Sequence, residues 1–392
     1  MPHEPTPASH RVATFRDSIL ATVRREPGAR LVFQPRLETW IAVNRKRGTL
    51  PARYRNIPPL GIYADLNCSF RPYHFFNHCL THTFTDRVCE KIGTREADGV
   101  TRIVNNWSTP RGNLELVRTR TSDSVHIERF PVRTPGDMRT FAYLLEAENF
   151  GWDEGLFGSL NAYVAGDATA PALYLPRVNI MRLAIQWMGF EATHYALHDY
   201  PKETRRLIRI MDACEKKFLD VAAACPVELI NYGDNVDGNL VSPPLVEEFI
   251  LPAYERRADA LKPAGKFLYA HWDGSVKQLL PYARTCFLDG LEALTPVPQG
   301  DVTLEEIKAA VGDMVLVDVL PMLAFMPNVP MNEFERVVRR TIDMFAPRLI
   351  LGISDELAPN CDIERVRRVA QIVNDLYGSR VSDGEAGTMP SD

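Results

Sequence analysis

From residue 137 onward the chain repeats one unit: a stretch with helical spacing of apolar residues, then a short and almost wholly apolar run. The spacing predicts helices over 137–148, 176–190, 202–223, 245–263, 303–312, 332–345 and 362–377. Between them lie VELINYG (227–233), KFLYAH (266–271), LEALTP (291–296), MVLVDVL (314–320) and RLILGIS (348–354). Short runs of this kind are strands covered on both faces, and strands separated by helices form a parallel sheet. Five such units at similar spacing predict a TIM-type (β/α)₈ barrel rather than an open sheet. A doubly wound nucleotide-binding sheet would carry a Gly-rich turn after its first strand. The first apolar run here, LVFQPRLET, has no glycine.

The first third reads differently. Residues 13–25 have a helical pattern, and LVFQP (31–35) has that of a buried strand. From about 60 to 135, segments such as NLELVRTRT and SVHIERFPV alternate apolar and polar residues between turn signals. This predicts a β-rich insertion over the barrel mouth, with a surface available for homodimer contact. One barrel domain over 13–378 is expected, flanked by polar tails at 1–12 and 379–392 that are expected to be disordered.

Composition narrows the function classes. A net charge of −5 gives no basic footprint for nucleic acid and no polybasic membrane anchor. No apolar stretch approaches the roughly 20 residues of a membrane span, and the N-terminal segment lacks the apolar core of a secretory signal. Seven scattered cysteines with no CxxC pair read as free thiols. A cytoplasmic protein is expected.

In a (β/α)₈ barrel the chemistry sits where the strands end. VELINYG runs into Asp234 and Asn235, KFLYA into His271, Trp272, Asp273 and Gly274, and MVLV into Asp318. LEALTP carries Glu292 and Thr295, and RLILGI runs into Ser354, Asp355 and Glu356. Asp, Asn and Ser are also ordinary loop and cap residues. Asp301 and Asp362 read as helix caps, and Asp234 reads equally as cap or catalyst. His271 and Asp273, two apart on an extended strand end, share one side. Imidazole and carboxylate both ligate zinc, so the pair is half a metal site or a structural histidine and its neighbour. His74, His78 and His82 would share a helix face, but no carboxylate completes a set there and their aromatic neighbours argue packing. His194 and His198 read as surface residues. Cys361, near the start of the last helix, is a weaker candidate for a reactive or ligating thiol. Trp40, Trp107 and Tyr232 are candidate pocket-lining aromatics.

The stretch NYGDNVDGNLVSPPLVEEFILPAYERRADALKPAGKFLYAHWDG resembles the uroporphyrinogen decarboxylase superfamily. The shared pattern is a Gly-Asp loop, Ser-Pro at a helix start, a long helix with Pro-x-Tyr, and a strand ending in His and Gly. GDVTLEEIKAAVGD and LILGISDELAPNCDIERVRRVAQIV fit the same family, and the resemblance spans about 137–378. Decarboxylases of the family carry an Arg-rich segment after the first strand; here that place reads FQPRLETW, with Arg36 alone. The corrinoid-linked methyltransferase branch instead carries zinc on His-x-Cys-Gly and on a Cys after the last strand. His271-Trp272-Asp273-Gly274 stands at the first place, and Asp355 with Glu356 at the second.

The resemblance therefore implies a zinc ion on His271, Asp273 and Asp355 or Glu356, with both family thiolates replaced by carboxylates. Such a harder ion suits polarising a substrate oxygen. The implied reaction moves a methyl group from a small O-methylated substrate, such as a methoxyarene, to the cob(I)alamin of a separate corrinoid protein. Tyr232, Asp234 and Asn235 would orient substrate or shuttle a proton, and Arg36, Trp40, Trp272 and Thr295 would contact it. The alternatives are a metal-independent decarboxylase, whose pocket should cluster arginines, and a non-catalytic binding member of the fold.

Overall fold

A computed structural model describes residues 13–377, apart from 86, 122–123 and 165–167. The tails expected to be disordered lie outside the described residues. Seven parallel strands form a curled sheet: β1 (Val32–Phe33), β2 (Ala172–Leu175), β3 (Leu229–Val236), β4 (Phe267–Trp272), β5 (Gly290–Glu292), β6 (Val315–Pro321) and β7 (Leu349–Ser354). Their order is β1-β7-β6-β5-β4-β3-β2, so the last strand returns to pair with the first. This is the α/β sheet of a TIM-type fold. Between the edge strands β1 and β2 runs an irregular segment. There the Ser69 amide donates to the Phe33 carbonyl, and the Phe70 amide to the Ala168 carbonyl. The side-chain amide of Gln34 donates to Ser69 Oγ, the Phe70 carbonyl and Thr169 Oγ1.

Alternation along each strand sorts the core into two layers. Val32, Ala172, Tyr174, Leu229, Phe267, Tyr269, Val315, Val317 and Ile350 pack together on the inner face, with Ile19 and Val23 of the helix Phe15–Val23. Leu173, Ile230, Tyr232, Leu268, Trp272, Leu291, Leu316 and Leu351 belong to the larger core facing the outer helices. Local chemistry starts several of those helices. Thr14 with Asp17, Thr134 with Asp137, and Thr303 with Glu306 each close a reciprocal capping box.

Most predicted helices are present, with shifted ends. The stretch 202–223 is two helices, Pro201–Cys214 and Lys216–Ala224. LEALTP is strand only through Glu292, because Ala293 takes a φ of +67°. The strand Ala172–Leu175 has no counterpart among the predicted elements. The β-rich region is an antiparallel sheet of Cys89–Ala97, Val100–Thr109, Gly112–Arg120 and Val125–Arg129, whereas Pro59–Asp65 is helical. This sheet rests on the helix Pro135–Ala147. Thr140 donates to the Arg111 carbonyl, and Trp107 packs against Trp187. All seven cysteines are free thiols. Among the described residues no helix is long and apolar enough to cross a membrane.

Candidate active site

The strand ends bring a connected set of charges together on the inner face. His271 and Glu292 are register partners on β4 and β5, and His271 Nδ1 lies 2.9 Å from Glu292 Oε2. The Asn231 amide donates to the same oxygen at 2.9 Å. The other Glu292 oxygen is held by Arg71, whose Nη1 donates to Asp318 Oδ1 at 2.9 Å. Arg71, Glu292, Asn231, His271 and Asp318 are all buried, so each charge depends on its partner. Gly352 makes room for Asp318: a Cβ there would sit 2.2 Å from Asp318 Oδ1.

His271 Nε2 is buried without a hydrogen-bond partner and faces Asp273 Oδ2 at 3.6 Å, beyond hydrogen-bond length. Burial pulls the imidazole pKa down, but Asp273, Asp355 and Asp318 together hold it above its ordinary value. The Asp318 carboxyl is pushed up to about 6, chiefly by burial, with Arg71 opposing and Asp355 reinforcing.

A second cluster holds the remaining predicted carboxylates. Arg36 Nη1 donates to Asp355 Oδ1 at 2.8 Å, and its Nη2 lies 3.5 Å from Glu356 Oε2. The guanidinium also stacks 3.5 Å over the Tyr73 ring. Arg36, placed among the substrate contacts by sequence, thus has both Nη atoms turned to protein carboxylates, while its Nε is buried without a hydrogen-bond partner.

This donor set fits zinc only in part. Glu292 accepting from Nδ1 of His271 is the arrangement that orients a metal-ligating histidine and leaves Nε2 free. His271 and Asp273 therefore fit one edge of a zinc site. Asp355 and Glu356, as they stand, are turned to Arg36 and do not. Among the described residues no three His, Cys, Asp or Glu side chains converge at ligand spacing.

Several expected contacts face the wrong way. Tyr232, Asp234 and Trp272 lie in the helix-facing layer and are fully buried. Asp234 accepts from the Val178 amide and from the Tyr254 hydroxyl, both at 2.8 Å, so it ties strand to helix and has no oxygen free for proton transfer. The Tyr232 ring packs against Arg257 and Tyr254. Trp40 donates its indole N–H to the Cys361 carbonyl, and Thr295 donates to the Ala293 carbonyl. Both are buried braces. The Cys361 thiol sits among the sulfurs of Met322 and Met326, and burial raises its pKa. Asn235 does reach the mouth, where its Oδ1 accepts from Arg177 Nη2 at 2.8 Å. His74, His78 and His82 share no helix face, because the chain bends at His74 and His82 lies on a strand. Asp362 caps its helix as expected; Asp301 instead accepts from the Val276 and Lys277 amides.

Sequence reasoning missed Arg71 and Arg177 and gave Glu292 no role. Strand alternation would have found Glu292, which shares the inner face with His271. Arg71 lies outside any regular strand and has no periodic signal.

The profile described as uroporphyrinogen decarboxylase matches residues 180–376, half of the chain. The protein belongs to the uroporphyrinogen decarboxylase family. No curated protein matches it significantly. Among solved structures, a methyltransferase from Methanosarcina mazei is similar at 12% identity and a TM-score of 0.57, over 93% of this chain and 100% of that one. A B12-independent methionine synthase from Shewanella sp. W3-18-1 aligns at 10% identity and a TM-score of 0.42, over 84% and 89%. At such identity the first likeness shows a shared fold and no more. For this family member, the charged network at the ends of β4, β5 and β6 is the candidate active site.

Proposed function

We propose that this family member is a methyltransferase that takes a methyl group from a small O-methylated substrate, such as a methoxyarene, and delivers it to the cob(I)alamin of a separate corrinoid protein. The observation that carries this reading is the oriented imidazole of His271, with Glu292 on Nδ1 and an unpartnered Nε2 facing Asp273. Family membership and the methyltransferase among the similar folds are in accord with it.

An ether oxygen is a poor leaving group until it is coordinated or protonated. A zinc ion held by His271 and Asp273, with Asp355 or Glu356 exchanged from Arg36, would supply Lewis acidity at that oxygen. The chain's own residues do the remaining work. Glu292 fixes the imidazole tautomer and its orientation. Arg71 pairs with Glu292 and Asp318 and holds both in place. Asn231 and Tyr269 wall the inner face and limit water. The test is spectroscopic: purified protein, a methoxyarene and cob(I)alamin should yield methylcobalamin, with about one zinc per chain, and His271→Ala should lose both. Full zinc occupancy in that variant would overturn the ligand assignment.

One observation favours a second reading, a metal-independent decarboxylase of a small acid. Arg71 stands behind His271 through Glu292, and Asp273, Asp355 and Asp318 favour the protonated imidazole, the form that would donate to a carbanion. Release of CO₂ by zinc-free protein would favour it over methyl transfer.

A further inference from the structure

The antiparallel sheet of Cys89–Ala97, Val100–Thr109, Gly112–Arg120 and Val125–Arg129 has two unlike faces. Residues directly opposite one another across its strands share a face, as do alternate residues along each strand. Register places Ile92, Ile103, Trp107, Leu114, Val125 and Ile127 on one face. At one end this face is covered, where Trp107 packs against Trp187 and Leu114 is buried. Beyond that end it is bare: Ile92 is 65% exposed and Val125 48%, and Ile103 and Ile127 are half-buried. None of these four joins either hydrophobic core. Neighbouring β-branched residues left in water on one sheet face mark a contact surface.

The charges on the same face give the second observation. Glu90 and Glu96 stand on the edge strand, and Arg118 and Arg120 on the strand two away. Glu96 and Arg120 flank Thr101 on either side, roughly 10 Å apart at a strand spacing of about 4.8 Å. Among the described residues the ion pairs within this sheet are Arg102 with Glu128 and Arg129 with Glu115, and none of the four takes part in one. Arg118 instead donates to Asn105 Oδ1 at 2.7 Å, and its Nε is buried without a hydrogen-bond partner.

The opposite face supplies the contrast. Both of the sheet's ion pairs lie there, Arg102 with Glu128 at 2.7 Å and Arg129 with Glu115. Lys91 and Arg95 remain on that face, both basic, so it would repel its own copy. The first face instead carries two acids and two bases held apart on different strands. Such a pattern is self-complementary: under a two-fold rotation the acids of each copy meet the bases of the other.

We propose that this face is the contact between two copies of the chain, with Ile92, Ile103, Val125 and Ile127 at its centre and Glu90, Glu96, Arg118 and Arg120 pairing across it. The proposal does not depend on the reaction assigned above. The test is sedimentation equilibrium of the whole protein at micromolar concentrations, with circular dichroism as the check on folding. The unaltered protein should be a dimer. Ile92→Asp, at a position exposed in the single chain, should weaken association about tenfold or more, because it buries an unpaired charge in the contact. Glu90→Arg with Glu96→Arg should give a folded monomer, and so should Arg118→Glu with Arg120→Glu. Mixed one to one, these two variants should form a heterodimer, because each then meets the opposite charge. A monomeric unaltered protein would overturn the proposal, as would a dimer undiminished by Ile92→Asp. A dimer that survives both charge reversals, or two folded reversal variants that stay monomeric when mixed, would do the same.

Discussion

Nδ1 of His271 lies 2.9 Å from Oε2 of Glu292, and the two residues are direct register partners on adjacent parallel strands. Backbone pairing thus sets the distance between them, and no loop has to close to bring them together. The other oxygen of Glu292 is held by Arg71. The histidine is consequently oriented by a group that is itself anchored at its far end.

Replacing that anchor is the direct test of the orientation. Glu292→Gln keeps the shape but leaves Arg71 with Asp318 alone and gives His271 a neutral neighbour. Loss of a carboxylate behind a ligating histidine lowers metal affinity or activity by roughly 10- to 100-fold. We expect a loss of that size in zinc retention and in methylcobalamin formation. Wild-type values for both would refute the orienting role.

A pH dependence follows from Asp318. Burial pushes its carboxyl up to about 6, above the value of about 4 expected in the unfolded chain. Between those values the folded protein holds a proton that the unfolded chain has released, so this group's contribution to stability falls as pH rises through the window. Below the window, and again above it, the contribution is flat. Urea midpoints measured from pH 4 to 7 should decline with rising pH more steeply for the unaltered protein than for Asp318→Asn. Parallel profiles would show that Asp318 titrates normally.

Tyr232 provides the opposite kind of test. It stood among the catalytic candidates, yet its hydroxyl is buried in the helix-facing layer without a partner. Removing an unsatisfied buried hydroxyl is close to neutral or mildly stabilising. Tyr232→Phe should leave kcat/KM within about twofold and the melting temperature unchanged or slightly higher. A large fall in kcat with an unchanged melting temperature would place the hydroxyl in the chemistry after all.

The legible part of this protein was local. The helical spacing of residues 332–345 and the apolar run RLILGIS depend on neighbours a few positions away, and both elements stand close to where the pattern put them. The same holds for the His271 strand end. The side each residue faces was harder. Tyr232 and Asp234 lie on one strand with Asn231 but on the other side of the sheet, and the register of β3 against β4 shifts between Ala270 and Trp272. Parity separates the faces, but which face lines the interior follows from how the whole sheet curls. Ala172–Leu175 went unseen for a related reason: four residues are too few to show a period.

By itself, then, the sequence determined the run of helices and strands, the family pattern and the His271-Asp273 strand end, because these follow from interactions between near neighbours. Only the tertiary structure decided the partners of the charges. Arg71 meets Glu292 and Asp318 across 221 and 247 positions, and Arg36 meets Asp355 across 319. A buried charge must find its counterion wherever the fold brings one close, and separation along the chain carries no trace of that choice.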